Sequence, residues 1–235
     1  MAATRLPGKP LLKINNLSII SHVFKKAEET KIGKVVVAAE DQEILDDVKK
    51  NGGHGILTSK NHKTGTDRIY EAYKKLDLKN IDYVLNLQGD EPNIDKNDII
   101  HLNNLVVKNN SEIGTLAAKI KNDQMLINQN VVKVETEKNL EKENFSKAIN
   151  FSRKNLSKPN NSVYHHIGIY LYQVNALKKF VSLSQTKNEI QNKLEQLRAL
   201  DNNLKISVAL AKSSPIGVDT QEDYLAIKKI MEYKR

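Results

Sequence analysis

The spacing of apolar residues alternates along the chain between two periods. Ile19, Val23 and Ala27 recur at intervals typical of one face of a helix, whereas Val35 to Ala38 form a continuous apolar run typical of a buried strand. A second continuous run, Tyr83 to Leu87, follows two more helical faces. Alternating helical and strand periods predict an α/β protein built on a sheet, rather than a helix bundle or a β-sandwich.

The remaining apolar patterns extend this alternation to the end of the chain. Helical faces are expected at Ile44 to Val48, Ile69 to Leu76, Leu194 to Leu200 and Tyr224 to Met231, and strands at Ile56-Leu57, Gly114 to Ile120, Val131 to Glu135, Ile167 to Tyr172 and Lys205 to Leu210. The polar, asparagine-rich stretch from Glu137 to Val163 predicts a hairpin or lobe carrying loops. With 235 residues, we expect one domain over 1–235 with a lobe around 120–185.

Composition narrows the class of protein. The net charge is +9 and the pI about 9.4, but the lysines form pairs on separate helices and only 5% of residues are aromatic. This pattern favours a solvated lysine-rich surface over a nucleic-acid surface. The chain has no cysteine, and no apolar run approaches the roughly 20 residues that span a bilayer. We therefore expect a cytoplasmic protein with no nucleic-acid or membrane partner.

The segment Thr4-Arg5-Leu6-Pro7-Gly8-Lys9-Pro10 places two cations around a turn whose proline and glycine restrict the backbone. That combination is typical of a loop that binds phosphate. Phosphate loops in α/β folds normally follow a buried strand, yet only Met1-Ala2-Ala3 precedes this one. We expect an N-terminal strand to be missing, about ten residues with its turn, and expect the present polypeptide to be less stable and less active than an extended one.

Two carboxylates are candidates for binding a metal ion. Asp90 lies in Gln88-Gly89-Asp90-Glu91-Pro92, directly after a predicted strand, at the edge where open α/β sheets bind ligands. Asp219 precedes the last predicted helix, where Thr220 and Asp223 have the spacing of a capping box. The alternatives are a solvated turn and a charge at a helix start. Since Mg²⁺ on a nucleoside triphosphate takes one or two protein carboxylates, Asp90 and Asp219 are expected to form that pair.

The segment Thr64-Gly65-Thr66-Asp67-Arg68 opens a predicted helix. Its exposed amides could bind a base edge or a phosphate, and Arg68 is a bidentate donor suited to a carboxylate or phosphate. A simple N-cap by Thr64 or Thr66 explains these residues equally well.

Two further segments favour structural interpretations. His165 and His166 are adjacent on a strand and so point to opposite faces, which argues against a shared metal. The segment Lys193 to Arg198 predicts an ordinary amphipathic helix with solvated charges.

These segments, taken in this order, resemble the 3-deoxy-manno-octulosonate cytidylyltransferase (CMP-Kdo synthetase) family. The matching motifs span nearly the whole chain and are Thr4 to Leu11, Thr64 to Ile69, Gln88 to Pro92, Phe151-Ser152-Arg153, His166 to Tyr170, Leu194 to Arg198 and Gly217 to Thr220. Any one of these motifs is weak evidence, whereas seven in order are specific.

The resemblance implies an enzyme that joins CMP from CTP to the anomeric hydroxyl of 3-deoxy-D-manno-octulosonate (Kdo), releases pyrophosphate and requires Mg²⁺. The product would feed lipopolysaccharide synthesis. The implied fold is the three-layer, Rossmann-like fold of nucleotide-diphospho-sugar transferases, with a mixed sheet and a smaller dimerisation and sugar lobe. The implied assembly is a homodimer.

Carried over residue by residue, the resemblance implies three groups of site residues. Arg5, Lys9 and Asp90 would be catalytic, with Asp90 and Asp219 holding Mg²⁺. The nucleotide-binding positions would be Leu6, Gly8, Thr64, Gly65, Thr66 and Arg68. The sugar-binding positions would be Gln88, Arg153, His166, Tyr170, Glu195 and Gln196.

The sequence departs from the family pattern at three places. The family's first strand ends in Pro-Ala-Arg, and that arginine is absent here. A second arginine expected after Arg153 is not found in Lys154 to Asn161, and the proline expected before Leu194 is replaced within Gln185 to Asn188. We expect these two loops to bind the sugar differently.

Three alternatives remain open at this point. The chain could serve another acidic sugar, such as an amino-Kdo or a sialic-acid-like one. It could be a CTP-binding scaffold without turnover. A basic RNA-binding domain is disfavoured by the scattered lysines.

Overall fold

The alternation of helices and strands expected from the sequence is present in the structure, a computed structural model that describes residues 6–154 and 162–233. These residues form two compact units, one drawn from 6–79, 87–100 and 215–233 and the other from 80–86, 101–154 and 162–214. The α/β fold class is therefore confirmed. The single domain with a lobe around 120–185 stays a prediction.

The elements follow one another in chain order. They are a 3-10 helix (Lys9–Leu11), β1 (Lys13–Ile14), β2 (Leu17–Ser18), α1 (Ile19–Glu29), β3 (Val37–Ala39), α2 (Gln42–Lys50), β4 (Gly55–Leu57), α3 (Gly65–Leu76), β5 (Tyr83–Leu87), α4 (Lys96–Asn109), β6 (Ile113–Ala118), α5 (Asp123–Ile127), β7 (Lys133–Thr136), β8 (Ser146–Ser152), β9 (Val163–Gln173), α6 (Val174–Ser182), α7 (Lys187–Asn192), α8 (Leu197–Asp201), β10 (Ile206–Leu210) and α9 (Gln221–Glu232).

The first unit contains the hairpin β1–β2 and the parallel pair β3–β4. Helix α1 begins where the side chain of Ser18 accepts a hydrogen bond from the backbone amide of Ser21. The apolar face of α1 then buries Phe24 against Val37 and Val48, which links α1 to β3 and α2. Because this face is buried, the helical spacing of apolar residues from residue 19 correctly predicted α1.

A second apolar cluster in this unit joins parts of the chain that are far apart in sequence. Leu6, Ile14 and Ile19 pack with Val218 and Ile227, all at most 8% exposed. The residues just before Lys9 and just before Asp219 therefore share one core. Burial of these side chains places the two segments next to each other.

The second unit is organised around a six-stranded mixed sheet with the strand order β5-β9-β6-β10-β8-β7. Strands β6 and β10 are parallel, whereas β9 is antiparallel to β6 and to β7. Because β7 also pairs with β9, the strands from β9 to β7 close into a ring. The register between β6 and β9 shifts between Thr115 and Leu116, which is a β-bulge.

The predicted strands and helices match this structure within a few residues, with instructive exceptions. The sequence-based predictions do not place helices α4, α5, α6 and α7 or the short strands β1 and β2. For α4 the signal was present, because Ile99, Leu102, Leu105 and Val106 are buried at helical spacing. Of the hairpin or lobe expected over Glu137 to Val163, the described residues include strand β8, which pairs with β7 just before that stretch.

Within residues 6–154 and 162–233, no helix combines the length and the apolar character needed to cross a membrane.

Candidate active site

The turn predicted to bind phosphate is described from Leu6 onwards, and Arg5 lies outside the described residues. Gly8 has a φ of 69° and a ψ of 9°, the left-handed conformation that glycine adopts without strain. The amide of Lys9 donates to the carbonyl of Leu6 at 3.2 Å, and Pro10 lies in the first turn of the 3-10 helix. Because Leu6 is only 8% exposed, the turn is anchored at its start.

The ammonium group of Lys9 lies between the two predicted metal-binding carboxylates. Its Nζ is 2.8 Å from Oδ2 of Asp90 and 3.3 Å from Oδ1 of Asp219. Burial alone would lower the pKa of Lys9, but the two carboxylates outweigh it and raise that pKa above 10.5. Lys9 is therefore a permanent cation at neutral pH. We call Lys9, Asp90 and Asp219 the Lys9 triad.

The backbone of the first unit brings the two carboxylates of the triad together. Asp90 lies three residues beyond the end of β5, and its carbonyl accepts a hydrogen bond from the amide of Val218 at 2.9 Å. Val218 has no exposed surface and belongs to the core cluster that includes Leu6. The predicted pairing of Asp90 with Asp219 is thus a consequence of how the chain packs.

The residues that follow Asp219 cap helix α9. Thr220 and Asp223 form the capping box of α9, so the predicted cap is confirmed for those two residues. Oδ2 of Asp223 also accepts from the amide of Asp219 at 3.1 Å. Since Asp223 serves the helix start, the carboxylate of Asp219 is oriented toward Lys9 instead.

The Lys9 triad fits a divalent cation that is also bound by phosphate. Across the part of the chain that the structure describes, no three His, Cys, Asp or Glu residues form a group that could hold a metal ion. Two carboxylates already share one cation here, and Mg²⁺ takes one or two carboxylates when phosphates supply further oxygens. The donor set therefore suits Mg²⁺ delivered with a nucleoside triphosphate rather than a closed protein cage.

The glycine beside Asp90 has a packing reason. A side-chain carbon at Gly89 would lie 2.8 Å from Cδ1 of Ile20, which is too close. The side chain of Ile20 of α1 therefore fills the space next to Gly89. Gln88, next to it, is exposed and belongs to the first unit.

The Thr64 to Arg68 segment begins helix α3, and Thr64 is its N-cap. Oγ1 of Thr64 accepts from the amide of Asp67 at 3.3 Å and donates to the carboxylate of Asp67 at 2.9 Å. Thr66 is fully buried, whereas Gly65 is exposed with no atom within 4 Å of where a side chain would begin. The capping interpretation is thus confirmed, and Gly65 leaves open space above the helix start.

Arg68 is engaged inside the protein. Its guanidinium forms an ion pair with Glu40 and donates to Oγ1 of Thr58 at 2.7 Å and to the carbonyl of Ser59 at 3.2 Å. It therefore fastens the loop after β4 to α3. This geometry favours a positioning role for Arg68 at the loop.

A cluster of aromatic residues surrounds His166 in the second unit. Its ring meets that of Phe151 edge-on at 5.0 Å and that of Tyr170 at 5.4 Å, and its Nε2 is 3.0 Å from Oγ1 of Thr115. Burial, with smaller contributions from His165 and Arg153, lowers the pKa of His166 to about 3. We call Thr115, Phe151, His166 and Tyr170 the β9 cluster.

Tyr170 carries a buried polar atom without a partner. The residue is 2% exposed, and among the described residues its hydroxyl oxygen makes no hydrogen bond of normal geometry, although the side chain of Thr115 is close enough to interact with it. Leaving a buried hydroxyl unpaired costs about 1–3 kcal/mol, so such groups call for an explanation. A polar ligand that reaches this hydroxyl is one.

The neighbouring histidine behaves separately. Nδ1 of His165 lies 2.9 Å from Oγ of Ser214, and burial lowers its pKa to about 4, with help from Lys121 and Lys133. The two rings have different partners, as their adjacency on a strand predicted. Both are neutral at pH 7.

Arg153 is held by a lysine that the sequence did not single out. Lys133 has no exposed surface, and its Nζ donates to the carbonyl of Asn128 at 2.7 Å and to that of Arg153 at 3.2 Å. Arg153 itself donates to the carbonyls of Gln129 and Asn130. A lysine in an apolar strand run was the available signal, because burying an ammonium requires a specific reason.

The predicted amphipathic helix from Lys193 to Arg198 is wrong. Helix α7 ends at Asn192, Lys193 has a φ of 53°, and α8 begins only at Leu197. The charges are not all solvated either, because Arg198 is 2% exposed and forms a buried ion pair with Glu189. Glu195, which is half-buried, and Gln196, which is buried, lie in the turn between the two helices.

Comparison with known proteins adds independent information. Residues 1–206 match the cytidylyltransferase family. A 3-deoxy-manno-octulosonate cytidylyltransferase from Thermodesulfovibrio yellowstonii is 44% identical, over 97% of this chain and 94% of the relative. The enzyme of the same name from Rhodopseudomonas palustris is 40% identical, over 99% of this chain and 95% of the relative.

Solved structures agree with the sequence relatives. A CMP:2-keto-3-deoxy-manno-octonic acid synthetase complexed with CTP superposes with a TM-score of 0.87 at 30% identity, covering 99% of this chain and 95% of that one. A UDP-glucose pyrophosphorylase superposes with a TM-score of 0.74 at 14% identity, covering 100% of this chain and 96% of that one, which shows a shared fold.

Proposed function

Since the chain belongs to the family of 3-deoxy-manno-octulosonate cytidylyltransferases, we propose that it joins CMP from CTP to the anomeric hydroxyl of Kdo and releases pyrophosphate. The family expected from the seven motifs is confirmed, and so is the assignment as a nucleotidyltransferase. The finer steps below are inferred from this chain's own residues.

The observation that carries the proposal is the Lys9 triad. Displacement at phosphorus depends mainly on positioning and on neutralising charge, rather than on covalent catalysis. One permanent cation and two carboxylates, brought together from three segments of the first unit, provide those elements. No side chain has to form a bond to the substrate in this scheme.

We propose that Asp90 and Asp219 hold Mg²⁺ when CTP binds. The ion would supply positive charge at the α-phosphate and help to orient the attacking hydroxyl. Lys9, with Arg5 from outside the described residues, would bind the oxygens of the departing pyrophosphate. The α-phosphorus would gain a bond to the sugar oxygen and lose its bond to the pyrophosphate oxygen, and the proton of the sugar hydroxyl would pass to solvent.

Nucleotide recognition is assigned to the two turns of the first unit. Leu6 and Gly8 present backbone groups of the Lys9 turn to the phosphates, while Thr64, Gly65 and Thr66 form the start of α3. The open space above Gly65 supports contact with the base or ribose at that point. Arg68 would act by fixing this loop through Glu40 and Thr58.

For the sugar acid, we propose a site in the second unit that includes Arg153, His166, Tyr170, Glu195 and Gln196, and Gln88 of the first unit stays a separate candidate for the same ligand. Arg153 is the residue suited to the carboxylate, because a guanidinium matches its two oxygens. A neutral His166 and the unpartnered hydroxyl of Tyr170 suit the hydroxyl groups of a sugar. The buried polar atom of Tyr170 is the feature of this chain that supports a polar ligand there.

Three attributes of the protein remain proposals of the same kind. We propose a homodimer in the cytoplasm, acting in lipopolysaccharide synthesis. The family resemblance and the absence of cysteine support this assignment. Sedimentation equilibrium would test the dimer, and a monomer at micromolar concentration would contradict it.

The central experiment is a reaction of the purified chain with CTP, Mg²⁺ and Kdo. We expect stoichiometric release of pyrophosphate and a product with the mass of CMP-Kdo. A reaction with a sialic acid in place of Kdo is the matched control for the choice of sugar. A reaction without added Mg²⁺ and with a chelator present is the control for the metal. Pyrophosphate release with another sugar acid but not with Kdo would refute the substrate assignment. If the chain bound CTP but turned over no sugar acid, the proposal that it is an enzyme would be refuted.

A further inference from the structure

We propose that the buried ion pair between Glu189 and Arg198 is a positioning device that holds the turn carrying Glu195 and Gln196, and thereby sets the affinity for the sugar acid. This inference rests on the proposed function for its substrate, but it makes a structural claim that can be tested without turnover.

The ion pair is bidentate and almost completely buried. Nε of Arg198 donates to Oε2 of Glu189 at 2.9 Å, and Nη2 donates to Oε1 at 2.6 Å. The two side chains are 2% and 3% exposed. The guanidinium also lies over the ring of Phe180, 4.7 Å from its centre. Every side of the pair is therefore fixed by a directional or packing contact.

The carboxylate of Glu189 is further constrained at its own helix start. Thr186 and Glu189 form the capping box of α7, and Gln185 donates to Oε1 of Glu189 at 3.1 Å. Burial by itself would raise the pKa of Glu189, but Arg198 and Gln185 together hold that pKa below its usual value. The pair is thus ionised and locked to the start of α7.

The ion pair brackets a short turn. Glu189 belongs to α7 and Arg198 to α8, and residues 193–196 connect them. The amide of Leu194 donates to the carbonyl of Glu189, and the amide of Arg198 donates to the carbonyl of Glu195 at 3.1 Å. Leu194 is 4% exposed. The turn is therefore anchored by the buried apolar side chain of Leu194 and by backbone hydrogen bonds at both ends.

Stability alone does not account for an ion pair here. Helices of six and five residues are too short to be stable by themselves, so their packing decides their orientation. A buried ion pair typically contributes little more stability than apolar residues of similar volume, because desolvation offsets the attraction. What a planar, bidentate contact adds is a defined angle and distance between α7 and α8.

That geometry matters because a small displacement of a binding group is costly. A shift of about 1 Å in a positioned group can reduce a rate by about a hundredfold. The side chains of Glu195 and Gln196 start from the bracketed turn. Loosening the angle between α7 and α8 should therefore weaken sugar binding and leave nucleotide binding in the first unit unchanged.

The test compares three variants with the wild-type chain. Glu189→Gln and Arg198→Lys each break the bidentate contact, and the double variant Glu189→Leu with Arg198→Met replaces the pair by apolar groups. Asp201→Asn is the matched control, because Asp201 also links α8 to α7 through Thr186 and Asn188, but on the exposed face. We measure the KM for Kdo, the KM for CTP, and hydrogen exchange at the amides of residues 194–198.

We expect the KM for Kdo to rise about tenfold or more in all three variants, and the KM for CTP to stay within about twofold. Exchange at residues 194–198 should accelerate by at least about tenfold while the sheet amides keep their protection. The double variant should remain folded. Asp201→Asn should leave both KM values within about twofold of the wild type.

Two results would overturn the inference. A double variant with wild-type KM for Kdo would show that packing alone holds the turn, and an equal rise of both KM values would indicate a merely structural defect. If the wild-type chain does not use Kdo, the proposed function fails instead. In that case hydrogen exchange decides, because unchanged exchange at residues 194–198 in the variants would refute the positioning role.

Discussion

The Lys9 triad and the β9 cluster handle polar groups in opposite ways. In the triad, an ammonium and two carboxylates remain charged and partly exposed, with side-chain exposures of 12%, 24% and 37%. In the β9 cluster, His166 is kept neutral by burial and Tyr170 keeps an unpartnered hydroxyl. One region is suited to stabilising charge, and the other to recognising the shape and hydroxyl groups of a ligand.

The difference shows what burial does to the same kinds of residue. Where opposite charges are close, they outweigh burial and keep Lys9 charged. Where no opposite charge is close, burial dominates and His166 loses its proton. The chemistry of each region therefore follows from its partners and not from the residue types alone.

The largest expected effect is on the charged region. Asp90→Asn keeps the shape of the side chain but removes one of the two negative charges of the Lys9 triad. We therefore expect turnover to fall by about a thousandfold with the fold intact. Asp46→Asn on the exposed face of α2 is the matched control and should leave turnover unchanged. Pyrophosphate release and circular dichroism provide the measurements. Preserved turnover in Asp90→Asn would remove Asp90 from the metal site.

The next effect concerns pH and the neutral region. The pKa of His166 is about 3 in the folded protein and near 6.5 when unfolded, so the unfolded state binds the proton first as pH falls. The wild-type chain should therefore lose stability between pH 7.5 and pH 5. His166→Gln should lose roughly 2 kcal/mol less over that interval.

Urea denaturation at the two pH values measures this difference. His54→Gln is the control, because His54 is exposed. This variant should lose as much stability between the two pH values as the wild-type chain. If His166→Gln lost as much stability as the wild type, the buried neutral histidine would not be the cause.

A smaller effect separates a binding hydroxyl from a structural one. Tyr170→Phe removes an unpartnered buried oxygen, so we expect unchanged or slightly increased stability and about a tenfold higher KM for Kdo. The hydroxyl of Tyr164 instead accepts a hydrogen bond from the amide of Leu140 at 2.9 Å. Tyr164→Phe should therefore lose about 1–3 kcal/mol of stability with an unchanged KM. If Tyr170→Phe lost stability with an unchanged KM for Kdo and Tyr164→Phe raised that KM, the ligand role of Tyr170 would be refuted.

The smallest effect tests whether the capping of α9 is independent of the Lys9 triad. Thr220→Ala removes the side-chain oxygen that caps the helix, so we expect a loss of about 1 kcal/mol. Because Asp223 still binds the amide of Asp219, the KM for CTP should change by less than about threefold. Thermal unfolding and steady-state kinetics measure the two quantities. A large rise in KM would mean that the cap and the triad are coupled.

Local patterns predicted much of this protein. The periodicity at α1 was sufficient because its apolar face is buried against Val37 and Val48. Strand β5 also forms where it was predicted, although Asn86 is its one buried residue and its apolar side chains are half-buried. The position of Asp90 after β5 and the capping box at Thr220 were also readable, since each depends on residues within a few positions. The segment from Lys193 to Arg198 failed because its charges are satisfied by Glu189, a partner in the preceding helix that periodicity does not reveal.

The sequence by itself determined the fold class, the alternation of helices and strands and the family, because these depend on apolar spacing and on short motifs. Only the tertiary structure decided which groups meet. Lys9 and Asp219 are 210 positions apart and come together through the shared core of Leu6 and Val218. The neutrality of His166, the partner of Arg198 and the unpartnered hydroxyl of Tyr170 were likewise decided by packing. Burial and long-range contacts set the charge state of a side chain, and neither is encoded in its local sequence.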